Sequence, residues 1–247
     1  MATSPETAED EPLPQVGPEI HHQHRDVTGG WLRPAVFGLT DGLVSNFALI
    51  AGVAGGGVSA GSVALAGFAG LVAGAFSMAT GEYTSVASQA ELTHAEIAVE
   101  RAEIRKRPHA EMAELAQLYE ARGVAPELAR QVAKQLSRDP EQAWRIHARE
   151  ELGVDPDDLP SPWTAAFSSF ASFTLGALLP LLPYLFGATS LLISGILAAL
   201  GLFAAGAYTT RFTTRSWLYS GTRQLLLGVA AAAVTFGIGT ALGTKLT

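Results

Sequence analysis

Between Pro34 and Gly55 the chain reads PAVFGLTDGLVSNFALIAGVAG, and its one ionisable side chain is Asp41. A helix of about 20 apolar residues crosses a hydrocarbon core of ~30 Å. This stretch is long enough to do so with a carboxylate in mid-helix.

The rest of the chain supports a membrane reading. At 247 residues and 48% apolar, composition alone suits either a large soluble domain or a small polytopic membrane protein. The distribution of charge decides. All charged residues except Asp41 and Lys245 fall in 1–33, 82–158 and 211–223. The intervals left over contain five candidate spans, at 34–55, 58–81, 163–186, 188–209 and 225–244. Gly38/Gly42, Gly70/Gly74 and Gly239/Gly243 have the spacing that lets membrane helices approach closely. The expected fold class is therefore an all-α integral membrane protein, with five transmembrane helices and a helical domain inserted between the second and third.

With five spans, 15 of the 16 Lys and Arg residues share one side. By the positive-inside rule that side is cytosolic and the carboxy terminus faces away from it. The expected organisation is a disordered amino-terminal tail over 1–25, spans 1 and 2 over 26–90, a cytosolic helical metal-binding domain over 91–160, and spans 3 to 5 over 161–247. The tail is rich in Pro, Glu and Asp. Its His21, His22 and His24 are read as solvated. Zero Cys excludes disulfides and thiolate ligands.

From Glu82 no Pro or Gly interrupts the chain before Pro108, so the second span is expected to continue into solvent as one long helix. Further helices are expected from His109 to about Arg122, from Pro126 to about Ser137, and from Pro140 to Leu152. Glu100 and Glu103 are three apart, as are Glu111 and Glu114, so each pair shares a helix face. If the chain reverses near Pro108, the four carboxylates converge. Most of them lack a basic partner at helical spacing, although Glu103 has Arg107. Such a cluster suits a divalent cation with hard oxygen ligands, such as Mn²⁺, Fe²⁺ or Ca²⁺; a solvated charged face is the alternative.

Glu91 and His94 form an E-x-x-H, the ligand pair of di-iron bundles, but 82–161 holds no second copy, so His94 is expected to be an exposed helix residue. Within the membrane, an ionisable residue marks a pathway or relay by default. Asp41 is the clearest case; Met78 and Glu82, four apart on the second span, share a face, and Asn46 adds an amide. A carboxylate that holds a divalent cation lets it go when protonated, which supplies a means of exchanging metal for protons.

Three strings, GLTDGLVSNFALIAGVAGG from Gly38, AGAFSMATGEYTSVASQAE from Ala73 and SFTLGALLPLLPYLF from Ser172, together with EELGVD from Glu150, resemble the vacuolar iron transporter family of Fe²⁺ and Mn²⁺ exporters. The resemblance implies a five-span homodimer in the lipid bilayer, with an ion path between subunits and protons as counter-ion. It also implies Asp41 and Met78 as path ligands, Glu82 near the cytosolic mouth, and Glu100, Glu103, Glu111, Glu114 and Glu151 as ligands of the cytosolic domain. Family members often carry a Met pair shortly before the last Glu; here His147 and Ala148 stand there, and an imidazole replaces a thioether. Imidazole with carboxylates suits Fe²⁺ and also Zn²⁺.

The expected function is transport of Fe²⁺ and Mn²⁺ out of the cytosol for detoxification or storage, not an enzymatic activity, with no nucleic acid partner. The expected membrane is a bacterial plasma membrane. A membrane-anchored metal sensor is the alternative from another class.

Overall fold

A computed structural model describes residues 30–246, with side chains described to Gly243. The expectation of a disordered tail over 1–25 lies outside the described residues. Those described form eight helices and no strand: α1 Leu32–Gly55, α2 Ala60–Lys106, α3 Pro108–Ala121, α4 Pro126–Leu136, α5 Pro140–Glu151, α6 Pro162–Leu185, α7 Leu191–Thr209 and α8 Trp217–Leu246. Five of them, α1, α2, α6, α7 and α8, are long and apolar enough to cross a membrane.

Local chemistry sets the boundaries. Proline opens α3, α4, α5 and α6, where its missing N–H costs nothing and its fixed φ suits the first turn. Ser59 caps α2 by accepting from the Ser62 N–H, and Asp139 caps α5 by accepting from the Glu141 N–H at 2.9 Å. Two helix starts differ from the sequence expectation by more than two residues. α7 begins at Leu191 rather than 188, because Gly187 turns the chain at φ +82°. α8 begins at Trp217 rather than 225, because Ser216 accepts from the Tyr219 N–H, and the Arg223 charge ends the apolar window without ending the helix.

The spanning helices surround α1, which packs against α6, α8, α2 and α7. Missing side chains make the closest of these contacts. A Cβ at Gly38 would lie 2.7 Å from the Ser169 carbonyl, and one at Gly42 would lie 2.9 Å from the Ala177 nitrogen. Ile50, Val63, Leu71, Ala75, Phe173, Ala177 and Leu181 form the core between α1, α2 and α6. Across it Asn46 donates to the Ala177 carbonyl at 2.7 Å.

With 47 residues, α2 is ~70 Å long at ~1.5 Å per residue, more than twice the hydrocarbon thickness. The helix is therefore longer than one crossing needs, and its charged residues all lie from Glu82 onward. There α5 packs onto it through Ile97, Ile104, Ala143, Trp144 and Ala148, while Leu115, Ala116 and Ala133 join α3 to α4 with Ile146 of α5 packed against them.

Candidate functional site

Two groups of polar side chains stand out, one in the α3–α5 domain and one between α1 and α2. In the domain, Arg107 breaks the helix at φ −136°, ψ 52°, and Pro108 starts α3 on a new axis. Glu100 and Glu103 of α2 are thereby brought toward Glu111 and Glu114 of α3, and α5 adds His147 and Glu151, one turn apart.

The three ligand atoms that come closest belong to Glu100, His147 and Glu151, all within 4.8 Å of one another. His147 is 1% exposed. Its Nδ1 lies 2.7 Å from Glu151 Oε1, 3.0 Å from Glu100 Oε1 and 4.0 Å from Glu111 Oε2. The Nδ1 hydrogen bond is spent on Glu151. Glu100 Oε1 and His147 Nε2 are then buried without a partner, a costly state for polar atoms.

Electrostatics agree with the geometry. Burial, then the Glu151 charge, pushes the Glu100 carboxyl up to about 7, against a smaller pull downward from His147, with Glu111 and Glu114 adding to the rise. Burial, then the Glu114 charge, also raises Glu111. Carboxylates that resist ionising together are stabilised by a divalent cation lying between them, and oxygen donors with one imidazole suit first-row divalent metals.

Glu103 stands at the edge of the group, paired at 3.7 Å with Arg107 and at 3.9 Å with Lys106. Glu114 is exposed and acts on the group through its charge. Glu91 and His94 are both exposed and outside the cluster, as the missing second E-x-x-H led us to expect. Glu150 is held by Arg122 and accepts from Tyr119 Oη at 3.2 Å, so it serves as a structural tie between α3 and α5.

The second group lies in the membrane-spanning bundle. Asp41 and Met78 line one cavity of about 280 Å³, together with Ser45, Asn46, Ser77 and Phe173. Gly70 and Gly74 supply its floor, since side chains there would meet Asn46 and the Phe173 ring. Ser45 and Ser77 at its rim are exposed, as is Leu49. Glu82, one turn beyond Met78, does not line this cavity. It is 8% exposed rather than reaching out to water, and its Oε2 has no partner.

The sequence reading missed Ser45 and Ser77, although Ser45 is four residues from Asp41 and Ser77 adjoins Met78. It also missed the stack that seats α5. The Arg101 guanidinium lies 3.8 Å from the Trp144 ring centroid and that of Arg145 lies 4.9 Å away.

The profile described as the VIT family matches residues 32–240. The chain is 39% identical over 223 residues to a vacuolar iron transporter of Acanthamoeba castellanii, covering 86% of this chain and 78% of that protein. It is 33% identical to vacuolar iron transporter 1 of Oryza sativa subsp. japonica, covering 91% of each, and 32% identical to vacuolar iron transporter 1 of Arabidopsis thaliana, covering 87% of this chain and 88% of that one. A match over nearly the whole described chain, spans and α3–α5 domain alike, places the protein in the vacuolar iron transporter (VIT) family.

Proposed function

We propose that this protein carries Fe²⁺, and with it Mn²⁺, across the membrane from the side that holds the α3–α5 domain, in exchange for protons. The observation that carries the reading is Asp41 and Met78 facing one cavity inside the spanning bundle. A carboxylate there is expensive unless it has a task. The relatives' names, vacuolar iron transporters, supply the metal.

In this reading Glu100, Glu111, Glu151 and His147, with Glu103 and Glu114 at the rim, collect the ion on the cytosolic side. Zn²⁺ would bind the same donors. Glu82 would stand between that store and Asp41. Protonation of the Asp41 carboxylate would release the cation on the far side, where proton concentration is higher. The purpose would be detoxification or storage, and the membrane proposed is a bacterial plasma membrane, whereas the named relatives are vacuolar.

A homodimer belongs to the same proposal. Ser45 and Ser77, at the rim of the Asp41 cavity, are exposed on the single subunit. Polar groups at that depth are poorly served by lipid tails. A second copy covering this face would close the cavity into a path.

The test is Fe²⁺ flux into proteoliposomes with a metal-quenched dye and a pH dye inside, under opposite pH gradients. Flux that follows the proton gradient and is lost in Asp41→Asn, with metal binding by the α3–α5 domain unchanged, is the expected result. Absence of wild-type flux with metal still bound would turn the reading into that of a membrane-anchored sensor.

A further inference from the structure

We propose that the open groove along the outer face of α8 from Ser216 to Leu227 holds an anionic phospholipid, its phosphate against Arg223 and an acyl chain along Leu226 and Leu227. This is independent of the transport reading, since Asp41 sits between α1 and α2 whereas the groove lies on α8.

The argument begins with charge. No Asp or Glu follows Asp158, yet Arg215 stands in the turn before α8 and Arg223 in its second turn. No ion pair among the described residues includes Arg215 or Arg223. Both are exposed, so an anion arriving from outside the chain can reach them. The Arg223 guanidinium lies 5.9 Å from the Tyr219 ring centroid, on the face that bears Leu226 and Leu227.

Shape narrows the choice. The groove measures about 650 Å³, and its lining divides into polar Ser216, Thr222 and Arg223 and apolar Leu218, Leu226 and Leu227. These leucines are 56%, 63% and 60% exposed, and Leu226 and Leu227 lie on the part of α8 that enters the spanning segment. Trp217 and Tyr208, 59% and 58% exposed, stand beside the turn, as aromatic rings do where a membrane meets water. A basic, hydroxyl-bearing end above a leucine wall at the membrane surface matches an anionic lipid. Inorganic phosphate would use only the upper half.

The experiment uses the full chain in neutral detergent. Native mass spectrometry counts retained phosphatidylglycerol and phosphatidylcholine at equal supply, with thermal melting measured in parallel. Wild type should retain phosphatidylglycerol in preference and melt several degrees higher with it, while inorganic phosphate should not shift the melt. Arg223→Gln should cut phosphatidylglycerol retention about tenfold without changing phosphatidylcholine retention. Arg215→Gln should do so less, and Arg223→Lys should keep part of the preference. Equal retention of both lipids by wild type would overturn the proposal, as would a preference unchanged in Arg223→Gln. A change in subunit number in place of lipid retention would assign the groove to a contact between copies and also overturn it. If Arg223→Gln fails to fold, the salt dependence of wild-type phosphatidylglycerol retention decides; a preference insensitive to salt would refute a charge-based site.

Discussion

Glu100 illustrates how one side chain joins stability to metal binding. Burial, then the charge of Glu151 on α5, holds its carboxyl at about 7 against an ordinary 4.5, with Glu111 and Glu114 of α3 adding to the rise. A folded-state value raised in this way contributes stability that is fully present below about 4.5 and is lost as pH rises through about 7. With chelator present, the α3–α5 domain should therefore melt at falling temperature from pH 5 to 8. Saturating Mn²⁺ should abolish most of that fall, because the cation takes the place of the proton. Over the same range apparent affinity should rise by about tenfold per pH unit for each proton displaced, levelling off above the Glu100 value. Isothermal titration at several pH values checks this, and a flat profile would remove Glu100 from the ligand set. The carboxylates of α2 and α3 were legible in the sequence from their spacing, and Glu151 from the family resemblance. That His147 reaches three of them was not, since it depends on where α5 lands.

At the scale of elements, the seating of α5 on α2 decides whether the site exists. Trp144 is 5% exposed, stacked with Arg101 and Arg145, and donates through Nε1–H to Glu141 at 3.1 Å. Removing it leaves a large cavity, worth about 3–5 kcal/mol in a well-packed core, at the joint that holds His147 and Glu151 near Glu100. Trp144→Ala should weaken Mn²⁺ binding about 10- to 100-fold, the range found when groups supporting metal ligands are removed. Trp144→Phe should fall between it and wild type. The spanning bundle has its own core, so both variants should extract and elute from a sizing column as wild type does. Unchanged affinity in Trp144→Ala would mean that α5 is held by other contacts. Helix ends were readable because Pro108, Pro126, Pro140 and Pro162 punctuate them. The early start of α8 was missed because Arg223 interrupts hydropathy while leaving helix formation untouched.

At the scale of the whole molecule, the polar face around Asp41 is the surface on which the proposed dimer rests. The chain contains no cysteine, so single substitutions report on neighbours without background. Ser77→Cys, at the exposed rim of the Asp41 cavity, should cross-link two copies in membranes with a short bifunctional reagent. A cysteine at Ile193, 45% exposed on α7, should do so far less. Cross-linking equal at both positions, or absent from Ser77→Cys, would count against a dimer built on this face. The sequence by itself determined the five spans, the long second helix, the carboxylates of α2 and α3 and the isolated Asp41. These rest on composition and spacing along the chain, which hydrocarbon thickness and helical periodicity translate directly into structure. Only the tertiary structure decided that Asp41 and Met78 line one cavity with Ser45 and Ser77, that Glu82 is buried with an unpartnered oxygen, and that His147 Nδ1 comes within 4.0 Å of Glu100, Glu111 and Glu151. Those facts depend on how glycine-lined helix faces and the Trp144 stack fix distances between residues far apart in the chain, which periodicity within one helix does not encode.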